Sequence, residues 1–293
     1  MRKMPQSLRA APEFTALAQH LRELSNGRQF AYFQIAGNWG DALIRKGAVN
    51  FFEKEGFSPR FCYARDRERQ RYTFKRFPPR KKWVIDHEAI DRFAHGLDLA
   101  VISGGGSWSP SYSGTRGLAI TLLRYFSKVV VMPHSFALPP VTGDVTYYCR
   151  DREESLQSVG SAQFCHDMAF YVEPTRRDPM MDVGYYFRGD RESKYKLNRV
   201  PENVDVSRLG NELADPDGLF DIVGRYDRVV TDRLHVAIAG ALLGRTTYAL
   251  GGSYWKMRSV FDASLRPNFP NAHFCASPSD LPADINDRLA PWL

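Results

Sequence analysis

The chain has 293 residues, of which 43% are apolar and 25% are charged. This composition is typical of a globular protein with a sizeable core, and the length suggests two domains. No stretch approaches the ~20 consecutive apolar residues that a membrane span requires, and no internal repeat indicates a solenoid or propeller. The N-terminus lacks the apolar segment of a signal peptide, and the four cysteines form no CxxC pair. We therefore expect a cytoplasmic protein with reduced cysteines and no metal site.

The net charge of +7 is concentrated in one segment, residues 60–82, which we call the basic stripe. It carries ten basic side chains, Arg60, Arg65, Arg67, Arg69, Arg71, Lys75, Arg76, Arg80, Lys81 and Lys82, against Asp66 and Glu68. Such a stripe attracts nucleic acid, anionic lipid or a diphosphate-bearing substrate. A solvated loop and helix face explains it equally well.

Short apolar segments alternate with helical patterns along the chain, which is typical of β/α units and a parallel sheet. In the N-terminal part, the predicted strands are 29–35, 98–102, 128–132 and 145–149. In the C-terminal part, they are 183–187, 228–231 and 246–250. A polar segment with two prolines at 173–182 separates the two series. We therefore predict an α/β protein with domains over 1–174 and 175–293.

Loops that follow strands are where ligands bind in open α/β sheets, so the polar residues of these loops are candidates for a site. Gly104, Gly105 and Gly106 follow the second predicted strand and could offer clustered N–H donors to an anion. They could equally form a simple turn. No Gly-Lys-Ser/Thr follows them, and no GxGxxG follows the first strand, which disfavours a P-loop or dinucleotide site.

The loop after the first strand reads Gly-Asn-Trp-Gly-Asp and leads into a predicted helix. Asp41 suits an N-cap, and Asn38 tolerates a left-handed turn. Capping alone would explain both residues. A position beside a substrate is the functional alternative.

The segment Thr-Asp-Arg-Leu-His at 231–235 precedes a very apolar helix and is the most specific local signal. A helix N-terminus favours an anion, and Arg233 adds a planar fork that suits a carboxylate or phosphate. His235 can act as an acid or base near neutral pH. Arg188, His134 and Ser135 follow other strands, and salt bridging is the structural alternative for Arg188.

Several segments, taken in their order along the chain, resemble the polysaccharide pyruvyltransferase family over about residues 30–262. They are GNWGDALIRKGAVNFF, VISGGGSW, VVVMPHSF, YYCRDREESLQSVG, HDMAFYV, YYFRGDRES, VVTDRLHVAIAGALLG and YALGGSYWKM. The resemblance implies two Rossmann-like domains that face each other across a cleft, as in GT-B glycosyltransferases, with acceptor and donor sides on the N- and C-terminal domains. Many family members have Pro-Gln-Ser where this chain has Pro-His-Ser at 133–135.

The family implies transfer of a pyruvyl group from phosphoenolpyruvate, as donor substrate, to a sugar of a polysaccharide or its lipid-linked precursor. No cofactor is implied. By position, Arg188, Arg233 and His235 are the donor-site residues, and His134 lines the acceptor side. His235 is our candidate acid, while either His134 or Asp41 could be the base. Cytosolic assembly on lipid carriers would place the protein near the inner membrane, where the basic stripe could contact anionic lipid.

Two other functions fit parts of the sequence. A nucleotide-sugar glycosyltransferase of the GT-B type would share the architecture and the glycine loops. A non-catalytic polyanion-binding protein would explain the basic stripe, although the stripe lacks a recognisable nucleic-acid-reading motif and we expect no nucleic-acid partner.

Overall fold

A computed structural model describes residues 8–64, 70–76, 82–175, 178–190 and 192–293. The chain divides into two compact units, each discontinuous in sequence. Among the described residues, the N-terminal unit contains those of 10–36 and 47–168, and the C-terminal unit contains residues 8 and 9 together with those of 37–46 and 169–293. The predicted boundary between residues 174 and 175 stays a prediction. The segment 37–46 nevertheless packs with the C-terminal part of the chain.

The helices are short for the most part, which is typical of α/β connections. In chain order they are α1 (Pro12–Ser25), α2 (Trp39–Glu55), α3 (His87–Ala94), α4 (Gly114–Leu122), α5 (Glu154–Ser158), α6 (Asp217–Gly224), α7 (Leu234–Leu242), α8 (Lys256–Val260), α9 (Arg266–Asn268) and α10 (Ala283–Leu289). A π-helical turn, Phe261–Leu265, joins α8 to α9. Short 3-10 turns lie at Leu8–Ala10, Met168–Tyr171, Leu197–Arg199, Val206–Arg208, Pro278–Asp280 and Ala290–Trp292.

Within the described part of the N-terminal unit, seven strands form one parallel sheet. They are β1 (Ala31–Gln34), β2 (Arg60–Tyr63), β5 (Leu99–Ile102), β6 (Gly105–Trp108), β7 (Lys128–Phe136), β8 (Val145–Cys149) and β9 (Gln163–Phe164). Between β2 and β5 in the chain, β3 (Thr73–Arg76) and β4 (Lys82–Ile85) form a separate antiparallel pair. The sheet order is β2-β1-β5-β7-β8-β9, with β6 paired to β7. Its strands β1, β5 and β7 are buried along nearly their whole length, which is typical of a parallel sheet covered on both faces.

The strand β7 is longer than predicted, because it continues through the segment that we interpreted as a loop. His134 pairs with Gly105 on one side and with Cys149 on the other. The β7–β8 register shifts between Val131 and His134. Such an irregularity accommodates Pro133, which has no N–H to donate to a ladder. The prediction that the loop begins at Pro133 is therefore wrong.

The described part of the C-terminal unit holds a parallel sheet of four strands in the order β10-β11-β12-β13. They are β10 (Met181–Tyr186), β11 (Tyr226–Thr231), β12 (Thr246–Leu250) and β13 (Ala272–Cys275). Three of them coincide closely with predicted strands. The α/β class and the parallel sheets are confirmed.

Each unit has its own apolar core, as expected of a compact domain. In the N-terminal unit, Phe33 is fully buried and its ring contacts those of Tyr72 and Phe126. In the C-terminal unit, the buried rings of Tyr185 and Phe187 stack on each other.

All four cysteines, Cys62, Cys149, Cys165 and Cys275, are buried and free. Burial raises the pKa of each thiol, to about 12 for Cys149 and to about 11 for Cys275. A thiol that stays protonated at neutral pH is a poor nucleophile and metal ligand. These buried thiols therefore have a packing role.

Much of the basic stripe lies outside the described residues, namely 65–69 and 77–81. Within the described part, Arg60 donates to the main-chain oxygens of Phe93 and His95, so it serves the fold. None of the described helices combines the length and apolar character needed to cross a bilayer.

Candidate functional site

The carboxyl edge of the C-terminal sheet brings the two predicted arginines together. Tyr186 at the end of β10 lies opposite Thr231 at the end of β11. The chain beyond these strands carries Arg188 on one side and Arg233 on the other. Because both strands run in the same direction, the two residues emerge at one edge, as the loop positions predict.

Arg188 is held by carboxylates in the described structure. Its Nε and Nη2 donate to the two oxygens of Asp190 at 2.7 and 2.9 Å, and its Nη1 lies 2.5 Å from Glu192 Oε2. Burial would lower its pKa, but the Asp190 hydrogen bonds and both carboxylates raise it instead. Arg188 therefore remains a cation, and its side chain is only 12% exposed.

Arg233 precedes helix α7 and is the more buried of the two, with 8% of its side chain exposed. Its Nη2 contacts Asp205 Oδ1 at 2.6 Å and Ser207 Oγ at 2.9 Å, while Asp190 lies farther away at 3.6 Å. Its main-chain N–H donates to Thr231 Oγ1, which fixes the turn into α7. Its buried Nε has no hydrogen-bond partner among the described residues. A buried donor of this kind is rare in proteins and points to a missing acceptor.

Lys256, at the start of α8, adds a third cation that the sequence analysis missed. Its Nζ lies 2.8 Å from Glu192 Oε2, the oxygen that also contacts Arg188. Tyr254 donates its hydroxyl to the other Glu192 oxygen. Burial would raise the pKa of Glu192, but Lys256 and Arg188 lower it below its usual range.

The Asp232 side chain, which follows β11, forms a hydrogen bond with the main chain that follows β10. Its Oδ1 accepts the main-chain N–H of Arg188 at 2.8 Å, and the residue is 4% exposed. Burial raises its pKa to about 6, although the Arg188 N–H and the charges of Arg188 and Arg233 act in the opposite direction. Asp232 is thus a carboxylate that titrates in the range where biological acids and bases work.

The loop before α2 is held by two reciprocal hydrogen bonds between side chains and the main chain. Helix α2 begins at Trp39, and Asn38 Oδ1 accepts the N–H of Gly40 at 2.8 Å. Asp41 Oδ2 accepts the N–H of Asn38 at 2.7 Å. Asn38 is therefore the N-cap and Asp41 the third helical residue, so the prediction of Asp41 as N-cap is wrong. Asn38 is also not in a left-handed conformation.

Gly40 places this capped helix start against His235. A Cβ added to Gly40 would lie 2.6 Å from His235 Nδ1 and 2.9 Å from His235 Cβ. The loop 37–41 and the Thr-Asp-Arg-Leu-His segment therefore meet within the C-terminal unit. Asn38, Asp41, Arg188, Arg233 and His235 all belong to this unit.

The remaining predicted residues lie together in the N-terminal unit. Gly105 has φ 147°, a conformation that favours glycine, and pairs with His134 of β7. Ser135 Oγ accepts a hydrogen bond at 2.9 Å from Nε of Arg150, whose Nη1 contacts Asp167 Oδ2 at 2.6 Å. His134, Arg150 and Asp167 are almost completely buried. This ion pair was not predicted from the sequence.

A sequence model of the family described as polysaccharide pyruvyl transferase matches residues 38–254. The match covers most of the chain and includes every predicted site residue.

The chain belongs to the polysaccharide pyruvyl transferase family.

One solved structure has a similar fold to this pyruvyl transferase family member. The crystal structure of a "functional uncharacterized protein" from Klebsiella pneumoniae subsp. pneumoniae NTUH-K2044 is 22% identical, with a TM-score of 0.67. The alignment covers 90% of the present chain and 99% of that one. An ABC domain from Streptococcus pneumonia, in complex with L-Trp, aligns over 76% of this chain and 74% of its own at 11% identity, but its TM-score of 0.25 carries no weight. No curated protein matches.

The roles of the predicted site residues remain predictions, although their placement in two groups is clear. Among the described residues, no group of three or more His, Cys, Asp or Glu side chains could hold a metal ion. The missed residues had weak sequence signals. Lys256 begins helix α8, a few residues after a predicted strand, and Arg150 directly follows one, so a search that extended past each strand end would have found both.

The buried Arg150–Asp167 pair should contribute strongly to stability. Asp167→Ala leaves a buried guanidinium without its counter-charge, which costs about 3 to 5 kcal/mol. The same change in the exposed Arg28–Asp98 pair is the control, and it should cost less than about 1 kcal/mol. Urea unfolding of both variants measures the difference. Equal losses of unfolding free energy in the two variants would contradict the prediction that the buried pair contributes more than the exposed one.

Asp232 should make stability depend on pH. Its carboxyl titrates near 3.8 when unfolded and at about 6 when folded, so the cost of burying its charge is absent below the lower value and complete above the higher. Asp232→Asn keeps an oxygen acceptor for Arg188 but removes the charge. At about pH 7.5 it should raise the free energy of unfolding by about 1 to 3 kcal/mol, and the gain should vanish at about pH 3. A variant less stable than wild type at the higher pH would show that ion pairing outweighs burial.

Proposed function

We propose that this protein transfers a pyruvyl group from phosphoenolpyruvate to two neighbouring hydroxyls of a sugar, forming a pyruvate ketal. Family membership supports the pyruvyl transfer. The observation that carries the donor assignment is the buried Nε–H of Arg233, which has no partner among the described residues and lies one residue from the start of the helix that bears His235.

The C-terminal unit offers cations to a donor that carries both a carboxylate and a phosphate. Arg188 and Arg233 emerge at one sheet edge, and Lys256 reaches the carboxylate that also contacts Arg188. A guanidinium binds phosphate in the same bidentate geometry as a carboxylate, so the donor can replace Asp190 on Arg188. Asp190 is the more exposed partner of that pair, which favours such an exchange.

The reaction needs a proton, two hydroxyls and a leaving phosphate. Protonation of the donor methylene carbon creates an oxocarbenium-like centre at C2. One hydroxyl oxygen adds there, and the second displaces inorganic phosphate, so two C–O bonds form while one C–O bond breaks. Of the two hydroxyl protons, one balances the proton now on the methyl group and the other leaves with phosphate. His235 is the proposed acid, and His134 or Asp41 the base.

The structure adds a restriction on each candidate base. Asp41 Oδ2 already accepts the N–H of Asn38, and His134 lies on strand β7, which is paired on both sides at this residue. Both can act only if the acceptor reaches them at these fixed positions.

Several finer features remain part of the proposal. They are a GT-B-like pair of Rossmann-like domains, a polysaccharide precursor on a lipid carrier as acceptor, and a cytoplasmic location with the basic stripe at an anionic membrane surface. Gly104, Gly105, Gly106, His134 and Ser135 are proposed to serve the acceptor, and Asn38 to contact substrate.

The function is tested by incubating the protein with phosphoenolpyruvate and a panel of free and lipid-linked glycans. We expect phosphate release that requires an acceptor, together with a glycan whose mass increases by one pyruvyl ketal. Turnover of a nucleotide sugar in place of phosphoenolpyruvate would instead establish a glycosyltransferase.

Arg233→Lys tests the donor contact. Lysine keeps the charge and can still pair with Asp205, but it lacks the planar fork and the Nε–H, so kcat/KM for the donor should fall by about 100-fold. Arg228→Lys is the control, because Arg228 is a carboxylate-bound arginine on the preceding strand with bonds to Asp182 and Asp284. Near-normal turnover of Arg233→Lys at limiting donor would rule out the assignment.

His235→Asn tests the acid. Donor binding should change by less than about threefold, while kcat should fall by about 100- to 10,000-fold, the usual contribution of a general acid. His273→Asn, at an exposed position on β13, is the control. If donor affinity collapses and turnover at saturation survives, His235 binds the donor and the acid lies elsewhere.

A further inference from the structure

The indole of Trp39 is clamped between two glycines of the segment 210–218. A Cβ on Gly210 would lie 2.8 Å from Trp39 Cγ, and one on Gly218 would lie 2.6 Å from Trp39 Cζ2. The two glycines thus face the opposite ends of the ring system. Trp39 Nε1 donates to the main-chain oxygen of Asp215 at 2.8 Å, which fixes the indole in its plane. We call residues 210–218 the Trp39 cradle.

Main-chain contacts hold the start of α2 on the same cradle. Asn38 forms a β-bridge with Asn211, and the N–H of Gly37 donates to Glu212 Oε2 at 2.9 Å. Arg45, one turn and a half farther along α2, donates to the main-chain oxygen of Glu212 at 2.8 Å. The first turns of α2 are therefore fixed in position as well as in orientation.

The residue after Trp39 is the one that meets His235. Gly40 is close not only to the imidazole Nδ1 but also to Cβ and Cγ of His235, all within 3.0 Å of an added Cβ. Rotating the imidazole would relieve the contact with Nδ1 but not the contact with Cβ. A side chain at position 40 must therefore displace the first turn of α7 or of α2.

We propose that Trp39 and Gly40 are positioning residues for His235. The Trp39 cradle sets where the first turn of α2 lies, and Gly40 transmits that position to the imidazole by direct contact. The effect on turnover rests on the proposed function, in which His235 is the acid. The effect on the imidazole itself does not.

Gly40→Ala is the first test, because Gly40 has ordinary helical geometry and alanine there carries no backbone strain. Gly218→Ala is the second, since it pushes on Trp39 from the far side of the cradle. Gly117→Ala is the matched control. Gly117 lies on helix α4, and a Cβ added there would meet no neighbouring atom within 4 Å. Thermal unfolding establishes whether each variant is folded. If Gly40→Ala does not fold, Gly218→Ala alone serves as the test.

The first measurement is the ¹H–¹³C spectrum of the protein labelled at its seven histidines. We expect the His235 imidazole signal, assigned by its loss in His235→Asn, to shift in Gly40→Ala and in Gly218→Ala. It should not shift in Gly117→Ala, and the signals of histidines in the N-terminal unit should stay in place. An unchanged His235 signal in both test variants overturns the proposal.

The second measurement is turnover with phosphoenolpyruvate. Gly40→Ala should lower kcat by about tenfold or more, since a displacement of about 1 Å can cost about 100-fold, while the donor KM changes by less than about threefold. In the His235→Asn background the same change should cause no further loss, because its effect acts through the imidazole. An equal loss in both backgrounds, or unchanged kcat despite a shifted His235 signal, overturns the proposal. If the wild type transfers no pyruvyl group, the proposed function fails, while the histidine spectrum still decides whether the cradle positions His235.

Discussion

The buried charge at the edge of the C-terminal sheet is the constraint on which the site depends. Arg188 and Arg233 are nearly excluded from solvent, and a buried guanidinium is tolerated only when it is paired and hydrogen-bonded. The turns beyond β10 supply the partners, Asp190, Glu192 and Asp205, so this part of the chain folds around the cations. With Lys256 and Asp232 included, three cations face four carboxylates. An anionic ligand must therefore exchange with carboxylates that are already present, or arrive together with a proton.

Much of the fold could be predicted from sequence because its strands are short apolar segments with helical patterns between them. The strand β12 has the predicted limits, and Arg233 precedes a helix as expected. The strand β6 was interpreted as a loop, because its glycines have low strand propensity. Pairing with β7 overrides that preference, and the same pairing carries β7 past Pro133.

The candidate site was less predictable, because its decisive contacts join residues far apart in sequence. The apolar periodicity after Asn38 and Asp41 predicts a helix start but does not distinguish which of the two residues is the N-cap. Both side chains accept a main-chain N–H, so either could cap the helix. The carboxylate shared by Arg188 and Lys256 depends on the spatial order of β10, β11 and β12. Likewise, nothing in the local sequence of Trp39 indicates that two glycines about 170 residues later leave room for its ring.

The four buried cysteines have a practical consequence for anyone who wishes to attach a probe to this protein. Thiol-reactive dyes and spin labels react with the thiolate, and burial keeps these thiols protonated and out of reach. An exposed cysteine introduced on a helix surface would thus be modified selectively, without first removing the natural ones. The folded wild-type chain is already a background for single-site labelling, and its core need not be altered to make it so.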